Sequence, residues 1–181
     1  MKRIFIALLV AAMAAIGFGG VASASSAKLV AFGTGTVTIS GDSATIANGP
    51  DGSGGFQYGG VYLNSKSQSG KPLNAVSFSF VSTGEVTGGA PRFSIPINTD
   101  GGGSVAGYAF IDAAGCGGAS GGTTTVSTDL ANCQVFFGVQ YANWDAFAAA
   151  NPTYRIAPGA IPFIIADGAA GTYVVSSIDL R

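Results

Sequence analysis

A chain of 181 residues without one histidine has few routes to catalysis. Its acids are Asp42, Asp51, Glu85, Asp100, Asp112, Asp129, Asp145, Asp167 and Asp179. Two facing carboxylates can hydrolyse a glycoside without histidine. Most of these Asp residues, however, fall in turns, where the side chain bonds nearby backbone. Gly118-Ala119-Ser120-Gly121-Gly122 has the spacing of a nucleophile elbow, and Asp51-Gly52-Ser53-Gly54-Gly55 is similar. That motif needs a strand before it, a helix after it and a histidine base. No catalytic residue is assigned, and the chain is expected not to be an enzyme. Asn98-Thr99-Asp100-Gly101-Gly102-Gly103 has oxygen ligands at the first and third places of a calcium loop. It has Gly at the fifth and no closing bidentate acid. A hairpin turn is expected there, with no metal and no cofactor.

Binding residues are easier to nominate. A sugar site needs a flat aromatic to stack on and amides or acids to hold hydroxyls. Tyr62 points away from its neighbours Val61 and Leu63 in an alternating segment. Arg92 and Asn98 share the outward face of another, and Asp100 follows closely. Gln140, Tyr141 and Trp144 form a second cluster. Two have a plainer explanation: Trp144 caps the core beneath a helix, and Arg92 snorkels beside Pro96 or pairs with an Asp.

These residues are positioned by extended segments. Period-two alternation, punctuated by Gly, Pro, Asn and Asp, predicts about nine to eleven short strands. Val37 and Ile39 share a face over 36–40, and 44–47 returns after a Gly41-Asp42-Ser43 turn. Gly60 to Leu63 alternates. Val76, Phe78 and Phe80 mark Ala75 to Val81. Phe93, Ile95 and Ile97 point inward over Arg92 to Asn98, with Arg92, Ser94, Pro96 and Asn98 outward. Pro96 lacks a ladder donor, which predicts an edge strand or a bulge. Gly107 to Asp112 follows. Gln134 to Gln140 is expected to turn Val135, Phe137 and Val139 inward. The apolar run Ile161 to Ala166 suits a central strand, and Thr172 to Leu180 closes the chain with Val174, Ile178 and Leu180 inward. One helix is expected near 143–150, capped by Asn143, acidic at Asp145 and stopped by Asn151-Pro152. The predicted fold is an all-β, antiparallel, jelly-roll-like sandwich with one short helix.

The ends and the composition bound the rest. Lys2 and Arg3, the uncharged run Ile4 to Phe18, and Ala22-Ser23-Ala24 read as a signal peptide over residues 1–24, cut after Ala24. The apolar run is too short to span a bilayer. Residues 25–181 make one domain. Without Lys2 and Arg3, six cations face nine acids, a net charge of −3. Charged residues are 9% of the chain, against about 25% in typical domains. Such a surface attracts neither nucleic acid nor membrane. Cys116 and Cys133, with no CxxC spacing, are expected to form a structural disulfide in an oxidising compartment.

Gly88-Gly89-Ala90-Pro91-Arg92-Phe93-Ser94-Ile95-Pro96-Ile97, then Asn98-Thr99-Asp100-Gly101 and Gly107-Tyr108-Ala109-Phe110, resembles a pattern in uncharacterised secreted bacterial proteins. The closing Gly171-Thr172-Tyr173-Val174-Val175-Ser176-Ser177-Ile178-Asp179-Leu180 is similar to the last strand of jelly-roll carbohydrate-binding modules. The resemblance covers the second half of residues 25–181 and implies a secreted β-sandwich. It implies an acidic, calcium-like turn where this chain has Gly102 and Gly103, a departure that removes the ligands. The function expected first is a secreted, extracellular or periplasmic, non-catalytic module for carbohydrate or cell-wall glycan. A structural or surface-coat protein that assembles with itself comes second, and a two-carboxylate glycoside hydrolase third.

Overall fold

A computed structural model describes residues 28–181; the expected signal peptide lies outside them. The strands in chain order are β1 (Lys28–Gly33), β2 (Thr36–Ser40), β3 (Ser43–Asn48), β4 (Gly59–Asn64), β5 (Phe78–Gly84), β6 (Arg92–Asn98) and β7 (Gly107–Asp112). There follow β8 (Thr123–Ser127), β9 (Val135–Phe137), β10 (Val139–Tyr141), β11 (Arg155–Ile156), β12 (Phe163–Ala166) and β13 (Gly171–Leu180). The helix α1 (Trp144–Ala150) lies between β10 and β11.

They form an all-β sandwich of two antiparallel sheets. One sheet runs β1-β4-β12-β6-β7-β9-β10, with β11 as an eighth strand on β6. The other runs β2-β3-β13-β5-β8. Alternation decides what lies between them. Val61 and Leu63 of β4, Phe93, Ile95 and Ile97 of β6, Ile111 of β7 and Ile164 of β12 are fully buried, as are Phe78 and Phe80 of β5 and Val126 of β8. Phe93 meets Phe80 at 4.8 Å and Phe78 at 5.9 Å, both edge-on, so one ring from β6 locks the two sheets together.

The helix is built as expected. Asn143 Oδ1 accepts the Ala146 N–H at 2.9 Å, and Asp145 lies in the first turn. Cys116 and Cys133 are bonded, 17 residues apart. The bridge ties the β7–β8 connection to the approach to β9, and closing a loop of that size stabilises a fold by about 3 kcal/mol.

Three strand expectations are corrected. First, β6 is not an edge: β7 flanks one side, and β12 and β11 share the other. Ladder pairing leaves off between Ser94, opposite Phe163, and Ile97, opposite Ile156. Pro96 sits in that gap, where its missing N–H costs no ladder bond, while its carbonyl still accepts from Ala157 N at 2.9 Å. Assembly through a free Arg92–Asn98 edge is therefore closed. Second, Gln134–Gln140 is not one strand. The chain reverses at Gly138, whose φ is +70°, and β10 folds back on β9 with Gln140 opposite Phe136. Val139 is consequently 59% exposed rather than inward. Third, β13 changes phase. A bulge at Ser177, with φ 51°, shifts its register on β5. Tyr173 and Val175 are inward before it, Ile178 and Leu180 after it, and Val174 faces out. Strands β1, β8 and β11 were not anticipated.

Gly60 of β4 is enforced by close approach. A Cβ there would collide with the Ile164 carbonyl and the Phe32 ring, which lies over the glycine. Gly60→Ala should therefore destabilise the protein by about 2 kcal/mol or more, measured by urea unfolding.

Candidate functional site

Alternation that buries one face of the eight-stranded sheet also fixes what the other face shows. The registers align Val30, Tyr62, Phe163, Ser94, Phe110, Phe136 and Gln140 side by side on successive strands. At about 4.8 Å between strands, this row is about 29 Å long. The equivalent row on the outer face of the other sheet is Thr38, Thr45, Val174, Thr83 and Thr123. One face of the sandwich is aromatic, and the other presents hydroxyls and methyls.

The aromatics group at two places. Tyr62 and Phe32 lie 4.5 Å apart at 35°, and Phe163 meets both edge-on. Phe163 also reaches Tyr108, at 5.4 Å. Further along, Phe110 and Phe136 lie nearly parallel, 6.5 Å apart at 15°. Between the groups stands Ser94, outward yet 1% exposed, its hydroxyl without a hydrogen-bond partner in the protein.

Beside Phe110 and Phe136 is a shallow groove of about 370 Å³, lined by those rings with Gly89, Arg92, Asp112 and Gln140. Arg92 is held rigidly. Its Nη1 and Nη2 each donate to an oxygen of Asp167 at 2.6 Å, and its guanidinium lies 5.1 Å from the centre of the Phe110 ring. Asp112 is opposite Arg92 in register, with Oδ1 accepting from Gly115 N at 2.6 Å. Gln140 Nε2 donates to Gln134 Oε1 at 3.2 Å. The groove thus offers two apolar ring surfaces and a carboxylate, an amide and a neutralised guanidinium.

Of the residues nominated from the sequence, Tyr62, Arg92 and Gln140 lie on this face, the last two together in the groove. The others are elsewhere. Asn98 is 1% exposed, not outward and free: Nδ2 donates to Asp100 Oδ1 and the Ser104 carbonyl, and Oδ1 accepts from Gly101 N. It staples the β6–β7 turn. Asp100 belongs to the same staple, accepting also from Gly102 N at 2.8 Å. Tyr141, next to Gln140 and hence on the opposite face, packs on Phe147 at 5.1 Å. Trp144 is 3% exposed, with Nε1 donating to the Leu73 carbonyl, so it caps the core beneath its helix. Gln140, Tyr141 and Trp144 do not form one surface.

Sequence reasoning missed Phe110, Phe136, Phe163, Asp112 and Asp167. A signal existed for the first two. In 107–112 the aromatics Tyr108 and Phe110 alternate with the small or aliphatic buried residues Ala109 and Ile111, and in 135–137 Phe136 follows the buried Val135. Asp167, 75 residues from Arg92, had none.

The remaining motifs are structural. Ser120 Oγ accepts from Val86 N and donates to Val86 O. Ser53 Oγ donates to Asp51. Among the described residues, no three His, Cys, Asp or Glu side chains cluster as metal ligands, and no helix is long and apolar enough to cross a membrane. No family model, curated protein or solved structure matches the chain.

Hydrogen bonds to the charged form lower two carboxyls. Asp100 is held below its ordinary range by Gly102 N–H and then the Asn98 amide, and Asp51 by the Ser53 backbone and hydroxyl and by Gly55 N–H. A depressed folded pKa gives stability that is full above the ordinary carboxylate range and drains away as pH falls through the folded value. Hydrogen-exchange protection at Gly55 and Gly102 should accordingly fall as pH drops below about 4. Asp100→Ala should remove the protection of Gly102 already at neutral pH, as read by NMR.

Proposed function

We propose that this protein is a secreted, non-catalytic binding module whose ligand is a carbohydrate, free or in a cell wall. The observation that carries this reading is the groove, where two phenyl rings lie beside Arg92, Asp112 and Gln140. A pyranose has apolar C–H faces and a polar rim. Rings take the faces, and a carboxylate, amide or guanidinium takes the hydroxyls. The bidentate Arg92–Asp167 pair supports the assignment further, because it fixes the donors before the ligand arrives and lowers the entropic cost of binding. The same pairing leaves no unmatched cation in the groove for a phosphate backbone. The acids on this face are engaged as acceptors, Asp167 from Arg92 and Asp112 from Gly115, which suits holding ligands better than moving protons. Export rests on the pattern over residues 1–24 and on the disulfide.

A surface-coat role by strand-to-strand assembly is the second reading. It is favoured by β2, an edge strand of the five-stranded sheet that has neither charge nor proline to blunt it. Light scattering of concentrated protein separates the two: a monodisperse monomer removes the second.

The first is tested with the processed protein on a glycan array and in pull-downs with insoluble cell-wall polysaccharide. Binding is expected, with Phe136→Ala weakening it about tenfold or more at unchanged thermal stability. Silence in both assays would retire the carbohydrate assignment.

A further inference from the structure

Resting on the carbohydrate assignment, we infer that the ligand is an uncharged glycan chain lying across the strands, held at two subsites of one continuous face. The first subsite is the groove at Phe110 and Phe136. The second is the cluster of Tyr62, Phe32 and Phe163. Phe136 and Tyr62 belong to the same register row, on β9 and β4, with β7, β6 and β12 between them. Four strand spacings put them about 19 Å apart. One sugar cannot touch both, and several linked sugars can.

Between the ring of Phe163 and the ring of Phe110 the row carries no third aromatic. On β6 the row falls to Ser94, the smallest side chain in it, and no bulky residue rises between Phe163 and Phe110. Ser94 also presents a buried hydroxyl lacking a partner. Such a group costs about 1–3 kcal/mol. A ligand hydroxyl that parts the rings around it would recover some of that.

Charge selects the chemistry of the chain. The seven residues from Val30 to Gln140 in this row include no ionisable group other than the Tyr62 phenol. Beside the row, Arg92 is matched by Asp167 at 2.6 Å, and Asp112 adds a negative charge. In the groove, a polyuronate or teichoic acid would meet an unmatched carboxylate and no free guanidinium. A neutral glucan or chitin-like chain meets rings and hydroxyl-binding groups, and carries no charge of its own to desolvate. The direction follows as well. Side chains of the row line up perpendicular to the strands, so the glycan axis runs from β9 toward β4.

The experiment is a calorimetric titration of the processed protein with cello-, laminari- and chito-oligosaccharides from disaccharide to hexasaccharide, with oligogalacturonate as the acidic arm. Affinity for at least one neutral series is expected to rise about tenfold or more from disaccharide to hexasaccharide. Tyr62→Ala should abolish that rise while leaving disaccharide affinity unchanged, and Phe136→Ala should weaken both. Tyr62→Val, which keeps a good strand former at the site, repeats the test if the alanine variant folds poorly. Length-independent binding, an equal loss at every length in the Tyr62 variants, or tighter binding of oligogalacturonate would overturn the two-subsite inference and leave the carbohydrate assignment standing. No binding to any series, with the glycan array also silent, would overturn both.

Discussion

The wedge of Phe93 between Phe78 and Phe80 is the contact on which the rest of the molecule depends. It joins the start of β6 to the start of β5, and so decides which face of each sheet is inside. A strand cannot slip by one residue without turning every side chain over. With Phe93 inward, Ile95 and Ile97 must also be inward, while Arg92 and Ser94 must face out. The neighbouring strands inherit that choice through their registers: Phe110 is opposite Ser94, Phe163 is opposite Ser94 on the other side, and Tyr62 is opposite Phe163. The aromatic outer row is therefore a geometric consequence of the core. Any substitution that loosens the Phe93 wedge loosens the row as well.

Local spacing made the parts of this fold that obey one rule legible. Phe78 and Phe80, then Phe93, Ile95 and Ile97, repeat every second residue; β6 has the expected bounds, and β5 runs over Phe78–Gly84 rather than Ala75 to Val81, because a 3-10 turn occupies Leu73–Ala75. Asn143 and Asp145 mark a helix start, and Asn151-Pro152 its end. Two cysteines without histidine left little but a disulfide. Where the chain breaks its own period, the spacing misleads. Ser177, the one non-glycine residue of positive φ among the described residues, shifts β13 by one, so an unbroken alternation assigned Val174 to the core and overlooked Tyr173. At Gly138 the chain doubles back, and Val139 comes out. Pro96 looked like an edge marker because a proline removes one donor. Whether that donor would have had a partner depends on the neighbouring strand, which here leaves off pairing at that point.

The site was legible to a smaller degree, for a related reason. Exposure of Tyr62 and Arg92 follows from their own strands. The company they keep depends on strand order, which joins β12 to β4 and to β6 across long stretches of sequence. Asn98 shows the opposite error. It lies on the outward phase, but a residue at a strand end is governed by the turn beside it. Its amide is consumed by Asp100, Gly101 and Ser104. Trp144 followed its plainer explanation, since an indole spaced i, i+3, i+4 with Phe147 and Ala148 belongs to the buried stripe of an amphipathic helix.

The two outer faces of the sandwich together argue that the aromatic one is there for a purpose other than folding. Both sheets face the same requirement: bury the inner side, and leave the outer side wettable. The five-stranded sheet meets it with Thr38, Thr45, Thr83 and Thr123 around Val174, good strand formers that keep hydroxyls in water. The eight-stranded sheet had the same option. It carries instead Tyr62, Phe163, Phe110 and Phe136, with Tyr62 and Phe136 at 39% and 44% exposure. Contiguous exposed rings on a protein with so few charges favour aggregation and contribute little to a core they do not reach. Selection for stability alone would have no reason to keep them on one face and exclude them from the other. The ligand surface proposed above would, with the rings of Phe110 and Phe136 grouped beside Arg92, Asp112 and Gln140.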